Sequence, residues 1–188
     1  MHAHDRTLLA SLAFADKDKQ DPRHDWACQY LAQESVMWRM IFGVLKARGD
    51  NTTDTTKIRC TVRHEVAISK GKDQYKTTIG FLDLCYEFHD ERLVVEVKIN
   101  PCSTGDILRQ IALYGEYVRG GMPHAGLSAK DGMRATFIVV TAFPLTQADV
   151  AMLAQSDVLH FRLGESFDEY CKQRSANSGT DGARSPEL

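Results

Sequence analysis

A chain of 188 residues, 43% hydrophobic and 26% charged, can bury one proper core and need not rely on disulfides. Cys28, Cys60, Cys85, Cys102 and Cys171 are scattered and odd in number, with no Cys-x-x-Cys pair, which argues against a zinc ribbon or a disulfide framework and for a reducing, cytoplasmic setting. A net charge of −2 supplies no global field for nucleic acid, and no apolar run approaches the about 20 residues that cross a bilayer, so a soluble protein with no membrane partner is expected.

In chain order, residues 1–24 read as an N-terminal extension, a short helix over 8–14 and then a charged linker ending at Pro22. From Asp25 to about Arg48 the spacing predicts one amphipathic helix, with Tyr30, Met37, Ile41 and Val44 on its stripe and Gly49-Asp50-Asn51 as its stop. Glu34 falls inside that stripe. A core-facing carboxylate is costly unless paired or metal-bound, so Glu34 reads either as a ligand or as the partner of a buried Arg or Lys, with Glu65 and His64 on the next strand as rivals.

Residues 77–88 and 92–99 are rich in β-branched and aromatic side chains, and His89-Asp90-Glu91 between them makes a hairpin. The period of two puts Glu96 and Lys98 on one face of the second strand, beside Asp83, and Leu93, Val95, Val97 and Ile99 on the other. Taken alone, that alternation equally describes the solvated face of an ordinary strand. After a turn over 101–105, a helix is predicted over 106–119, with Ile107, Ile111, Tyr114 and Val118 at helical spacing and Gln110 stacked one turn before Tyr114. Residues 120–132, with four glycines and a proline, read as a flap over substrate or as disorder. A buried strand over 135–141, a helix capped by Thr146 with Asp149, a strand over 158–162 and a helix from about Phe167 capped by Ser166 complete a single domain over 25–175. Residues 176–188 read as a disordered tail.

Two carboxylates and a lysine at one end of a hairpin are the groups phosphodiester cleavage needs. A hard cation takes carboxylate, water and phosphate oxygens, polarises the phosphoryl group and lowers the pKa of a bound water. An ammonium beside it holds the attacking water or offsets charge in the transition state.

The three segments Gly80-Phe81-Leu82-Asp83, Glu96-Val97-Lys98 and Gln110-Ile111-Ala112-Leu113-Tyr114, in this order on strand, strand and helix, resemble the PD-(D/E)XK nucleases. Within that superfamily they are similar to the branch of RecB-type nuclease domains and phage λ exonuclease, which carries a QxxxY motif. The resemblance covers residues 25–161 and departs from the name motif in lacking a proline before Asp83, a variable position. It implies an α/β, restriction-endonuclease-like core with a central mixed sheet flanked by helices. It further implies a DNA-cleaving hydrolase that uses Mg²⁺ or Mn²⁺. Its metal would be held by Asp83, Glu96, Val97 and an upstream glutamate, here Glu34. Lys98 would activate water, and Gln110 with Tyr114 would fix the lysine and the scissile phosphate. Some RecB-like sites use a histidine on the first helix, but His24 lies before the predicted helix start. The scattered cysteines argue against the iron–sulfur relatives. DNA would have to be met by a local basic rim drawn from Lys46, Arg48, Lys57, Arg59, Arg63, Lys70, Lys72 and Lys76. The alternatives are a catalytically silent nucleic-acid-binding or assembly module on the same fold and, less favoured, an RNase or structure-specific resolvase. A homo-oligomer is compatible with all of them.

Overall fold

In a computed structural model the described residues are 21–50, 58–70, 77–89, 91–118 and 134–178, with side chains at 69–70, 77–79, 116–118 and 177–178 left aside. The expected N-terminal helix over 8–14, the loop over 120–132, most of the C-terminal tail, and Lys57, Lys72 and Lys76 lie outside them.

The first helical region is two helices, not one. Asp21 accepts the Arg23 backbone N–H at 2.9 Å and Pro22 opens helix α1, Pro22–Leu31, so Pro22 starts a helix where a linker end was expected. The chain then leaves helical geometry at Gln33, whose backbone is extended, and resumes as α2, Glu34–Ala47. The break is anchored from below: the buried Tyr86 hydroxyl donates to the Leu31 carbonyl at 3.0 Å, satisfying an acceptor that the ended helix leaves open.

Five strands follow the order β1-β2-β3-β4-β5: Cys60–Lys70, Thr77–Phe88, Glu91–Lys98, Arg134–Thr141 and Val158–Arg162. The first three form an antiparallel meander, while β3–β4 and β4–β5 pair in parallel. Parallel neighbours require crossovers, which are supplied by α3, Thr104–Val118, and α4, Gln147–Gln155. Helix α5, Glu165–Ser178, closes the fold. It starts ahead of Ser166, with the N–H of Phe167 bonded to the Gly164 carbonyl, and it runs past residue 176, where a tail was expected. Likewise α3 begins before residue 106, with Ser103 accepting the Asp106 N–H. The Thr146–Asp149 capping box of α4 stands as expected.

The architecture is thus the expected mixed sheet flanked by helices. One face carries α1 and α2, whose Ala27, Leu31, Met37, Ile41 and Val44 share a core with Leu84, Tyr86, Val95, Val97 and Val140. The other face packs Ile107, Ile111 and Tyr114 of α3 and Leu153 of α4 on Leu82, Val94, Phe137 and Val139. Strand β3 is central and buried along nearly all its length. Among the described residues no helix is long and apolar enough to cross a membrane.

Candidate functional site

The β2–β3 ladder stops at Leu84 opposite Val95, yet β3 continues to Lys98, paired with Thr141 of β4 on its other side. One step past the last rung, the Asp83 carboxylate takes the Val97 backbone N–H at 2.8 Å, in place of a backbone acceptor. A side chain therefore stands where the ladder opens, and Val97 is tied to it through its main chain. Glu96 and Lys98 project together, as the strand period predicts, and the Lys98 Nζ donates to Glu96 Oε1 at 2.8 Å.

Burial decides between a solvated strand face and something else. Asp83 is 2% exposed, Glu96 3% and Lys98 5%. Removing a charged group from water costs several kcal/mol even after relaxation, at about 1 kcal/mol or less of return for an exposed pair. These are not surface charges.

A fourth charged group joins them from α1. Because the helix begins at Pro22, His24 lies in its first turn and points inward, 3% exposed. Its Nε2 is 3.4 Å from Asp83 Oδ2, and its Nδ1 lies 4.0 Å from the Cys28 Sγ one turn on. Burial opposes protonation of His24, but the hydrogen bond and charge of Asp83, helped by Cys28, outweigh it and push the imidazole up to about 10. Asp83 responds in the opposite sense. Burial would raise it, and His24, the Val97 N–H and Lys98 together hold it below its ordinary value. Two formal positive charges, His24 and Lys98, thus face two formal negative ones.

Helix α3 brings the third motif to the same place. Gln110 donates from Nε2 to the Tyr114 hydroxyl at 2.8 Å. Burial and the nearby Glu96 charge raise Tyr114, so it remains a neutral phenol. Its ring lies on Gly80: a Cβ there would stand 3.0 Å from the ring and 3.3 Å from the hydroxyl. The glycine opening the Gly80-Phe81-Leu82-Asp83 segment is what lets α3 sit down beside Asp83 and Glu96.

Asp83, Glu96, Lys98, Val97, Gln110 and Tyr114 are therefore brought together, and Glu34 is not. Glu34 begins α2 on its exposed side, where a carboxylate suits the helix N-terminus, and the break at Gln33 is what takes it out of the expected stripe. His64 and Glu65 are exposed as well; Glu65, at the rung facing Asp83 that the β1–β2 ladder skips, has a left-handed φ of 46°. His24, set aside in the sequence because the helix was expected to start after it, is in fact inside that helix. The Asp21-Pro22 start signal would have found it, since it sets His24, Cys28 and Leu31 on one inward face. Of the expected basic rim, Arg48 pairs with Glu91 at 2.5 Å and Arg63 with Glu87 at 3.5 Å, so both are engaged within the protein.

Among the described residues no three His, Cys, Asp or Glu side chains are gathered as a metal site. The carboxylates at this end of the hairpin are Asp83, with His24 beside it, and Glu96, with Lys98 beside it.

No protein-family model matches the chain, and no curated protein matches it. A solved structure, the crystal structure of protein VC1899 from Vibrio cholerae, is similar with 15% identity and a TM-score of 0.42 over 80% of this chain. The matched region spans 34% of that protein's chain, well under half its length.

Proposed function

We propose that the protein is a Mg²⁺- or Mn²⁺-dependent deoxyribonuclease of the PD-(D/E)XK type, similar to RecB-like and λ-exonuclease-like domains. The observation that carries this reading is the convergence of buried Asp83, Glu96 and Lys98 with Tyr114 and Gln110 where β2 and β3 part. In this reading Asp83 and Glu96 hold the cation, which when bound polarises the phosphoryl oxygen and acidifies a water. Glu96 holds Lys98 in place through its hydrogen bond, so the side chain needs little reorganisation as negative charge builds on the phosphate. Tyr114, kept neutral and held by Gln110, is a hydroxyl donor at the edge of the site. His24 orients Asp83 from the opposite face of the sheet.

The test is cleavage of circular single-stranded, circular double-stranded and linear DNA with Mn²⁺, comparing wild type with Lys98→Ala and Asp83→Asn. Removing the lysine is expected to cut turnover by about 10² or more with DNA affinity little changed. Wild-type rates in Lys98→Ala would end the assignment. A specific observation favours the second reading, a catalytically silent nucleic-acid-binding or assembly module: His24 and Lys98 already balance both carboxylates without a cation. For that module Mn²⁺ would not raise the melting temperature and no DNA form would be cut.

A further inference from the structure

A cleft of about 250 Å³ opens between α1, α2 and the carboxyl ends of β4 and β5, and it uses none of the residues of the site above. Its floor is apolar, with Met40 and Val140 buried. Two aromatic rings line it. Tyr30 is held in a cluster with Phe167 and Tyr170, each 5.6 Å away between centroids, and Phe161 rests on Gly43, where a Cβ would stand 3.2 Å from the ring. Packing therefore sets both rings in place before any ligand arrives, which lowers the ordering cost of binding.

Two exposed arginines, Arg39 and Arg162, line the same cleft. Arg39 is steadied by its Nε, which donates to the Ser35 carbonyl one turn back at 3.4 Å. Guanidinium forks match phosphate oxygens, and two of them suit a dianion better than a monoanion. An apolar slot with aromatic walls suits a flat, unsaturated body. The volume lies just under the about 300–1,000 Å³ of drug-sized sites, which fits one small molecule and not a polymer strand. We propose that this cleft binds an aromatic phosphate monoester of mononucleotide size. The proposal is independent of the nuclease reading, because it concerns the opposite face of the sheet from Glu96 and Lys98 and is read out by binding.

Calorimetric titration of the full chain, without divalent metal, would compare adenosine 5′-monophosphate, phenyl phosphate, inorganic phosphate and benzoate. Saturable binding of the two aromatic phosphates is expected, with inorganic phosphate and benzoate each weaker by about tenfold or more. Arg39→Gln and Arg162→Gln should each weaken adenosine 5′-monophosphate by a similar factor. Gly164→Trp supplies a second handle: nothing lies within 4 Å of a Cβ at Gly164, which lines the cleft, so the indole can fill it without displacing the core. That variant should melt near wild type and bind neither aromatic phosphate. The proposal is overturned if wild type gives no binding heat with the aromatic phosphates, if inorganic phosphate or benzoate binds as tightly, or if all three variants bind like wild type.

Discussion

His24 and Asp83 form an ion pair deep enough that each sets the other's protonation, and this makes their contribution to folding depend on pH in a defined direction. His24 is raised from 6.5 to about 10, so what it contributes is fully present below pH 6.5 and is lost as the pH climbs towards 10. Asp83, held below 3.8, contributes above that pH and loses its part on acidification. Metal-free protein should therefore melt highest between 3.8 and 6.5 as far as this pair is concerned, and lower with each step towards pH 10. In His24→Gln the alkaline decline should flatten; a decline of unchanged size would assign it to other groups. Gly80 supplies a second prediction at this scale. Alanine there would meet the buried Tyr114 ring at 3.0 Å, and overpacking of this kind costs about 1–3 kcal/mol. Gly80→Ala should melt lower and, if the site is catalytic, turn over more slowly. Adding Tyr114→Leu should restore melting but not turnover, because it vacates the space and removes the hydroxyl together.

Among the elements, the division of the first helical region into α1 and α2 matters most for the site. It frees α1 to angle over the sheet independently of α2, and it places His24 against Asp83 while leaving Glu34 on the surface. The Tyr86 hydroxyl on the Leu31 carbonyl is the visible pin. Tyr86→Phe would leave that buried acceptor unsatisfied, at a cost of about 1–3 kcal/mol in denaturant unfolding. Since α1 carries His24, the same variant should also lower the imidazole pKa, measurable by NMR titration. An unshifted histidine in a destabilised variant would show that α1 is positioned by its apolar face alone. On the opposite side, Gly80 against Tyr114 and the capped start of α3 at Ser103 set the height and the phase at which Gln110 and Tyr114 reach the ladder's open end.

For the whole molecule, charge sets how DNA would be met. The net charge is −2, and two arginines of the expected rim are already paired with glutamates. Of the eight residues of that rim, six would then be left to neutralise phosphates on binding. The slope of log K against log salt should be no steeper than about −5, the value expected for a protein making about six phosphate contacts. Filter binding in the presence of Ca²⁺ across a salt series would measure it, and a steeper slope would mean that an extensive basic surface exists after all.

The hairpin, its facing pair Glu96 and Lys98, the crossover helix with Gln110 and Tyr114, and the α/β class were all legible in the chain. Each is a local consequence of a repeat of two or of about 3.6 residues, and such repeats survive without knowledge of neighbours. Local reasoning failed where two elements meet. Apolar spacing ran on across Ala32 and Gln33, so one helix was expected and Glu34 was placed in its stripe; the acceptor that ends α1 is served from β2, some fifty residues later in the chain. His24 was set aside because the helix was expected to start after it, although Asp21-Pro22 just before it is a start signal; that its partner is Asp83 only the packing of α1 on the sheet shows. Burial of the charges was also undecided, because a strand with alternating polar residues reads alike whether its polar face meets water or a helix. Only the tertiary structure, by laying α3 over β3 through Gly80 and turning α1 onto Asp83, made that face an interior one.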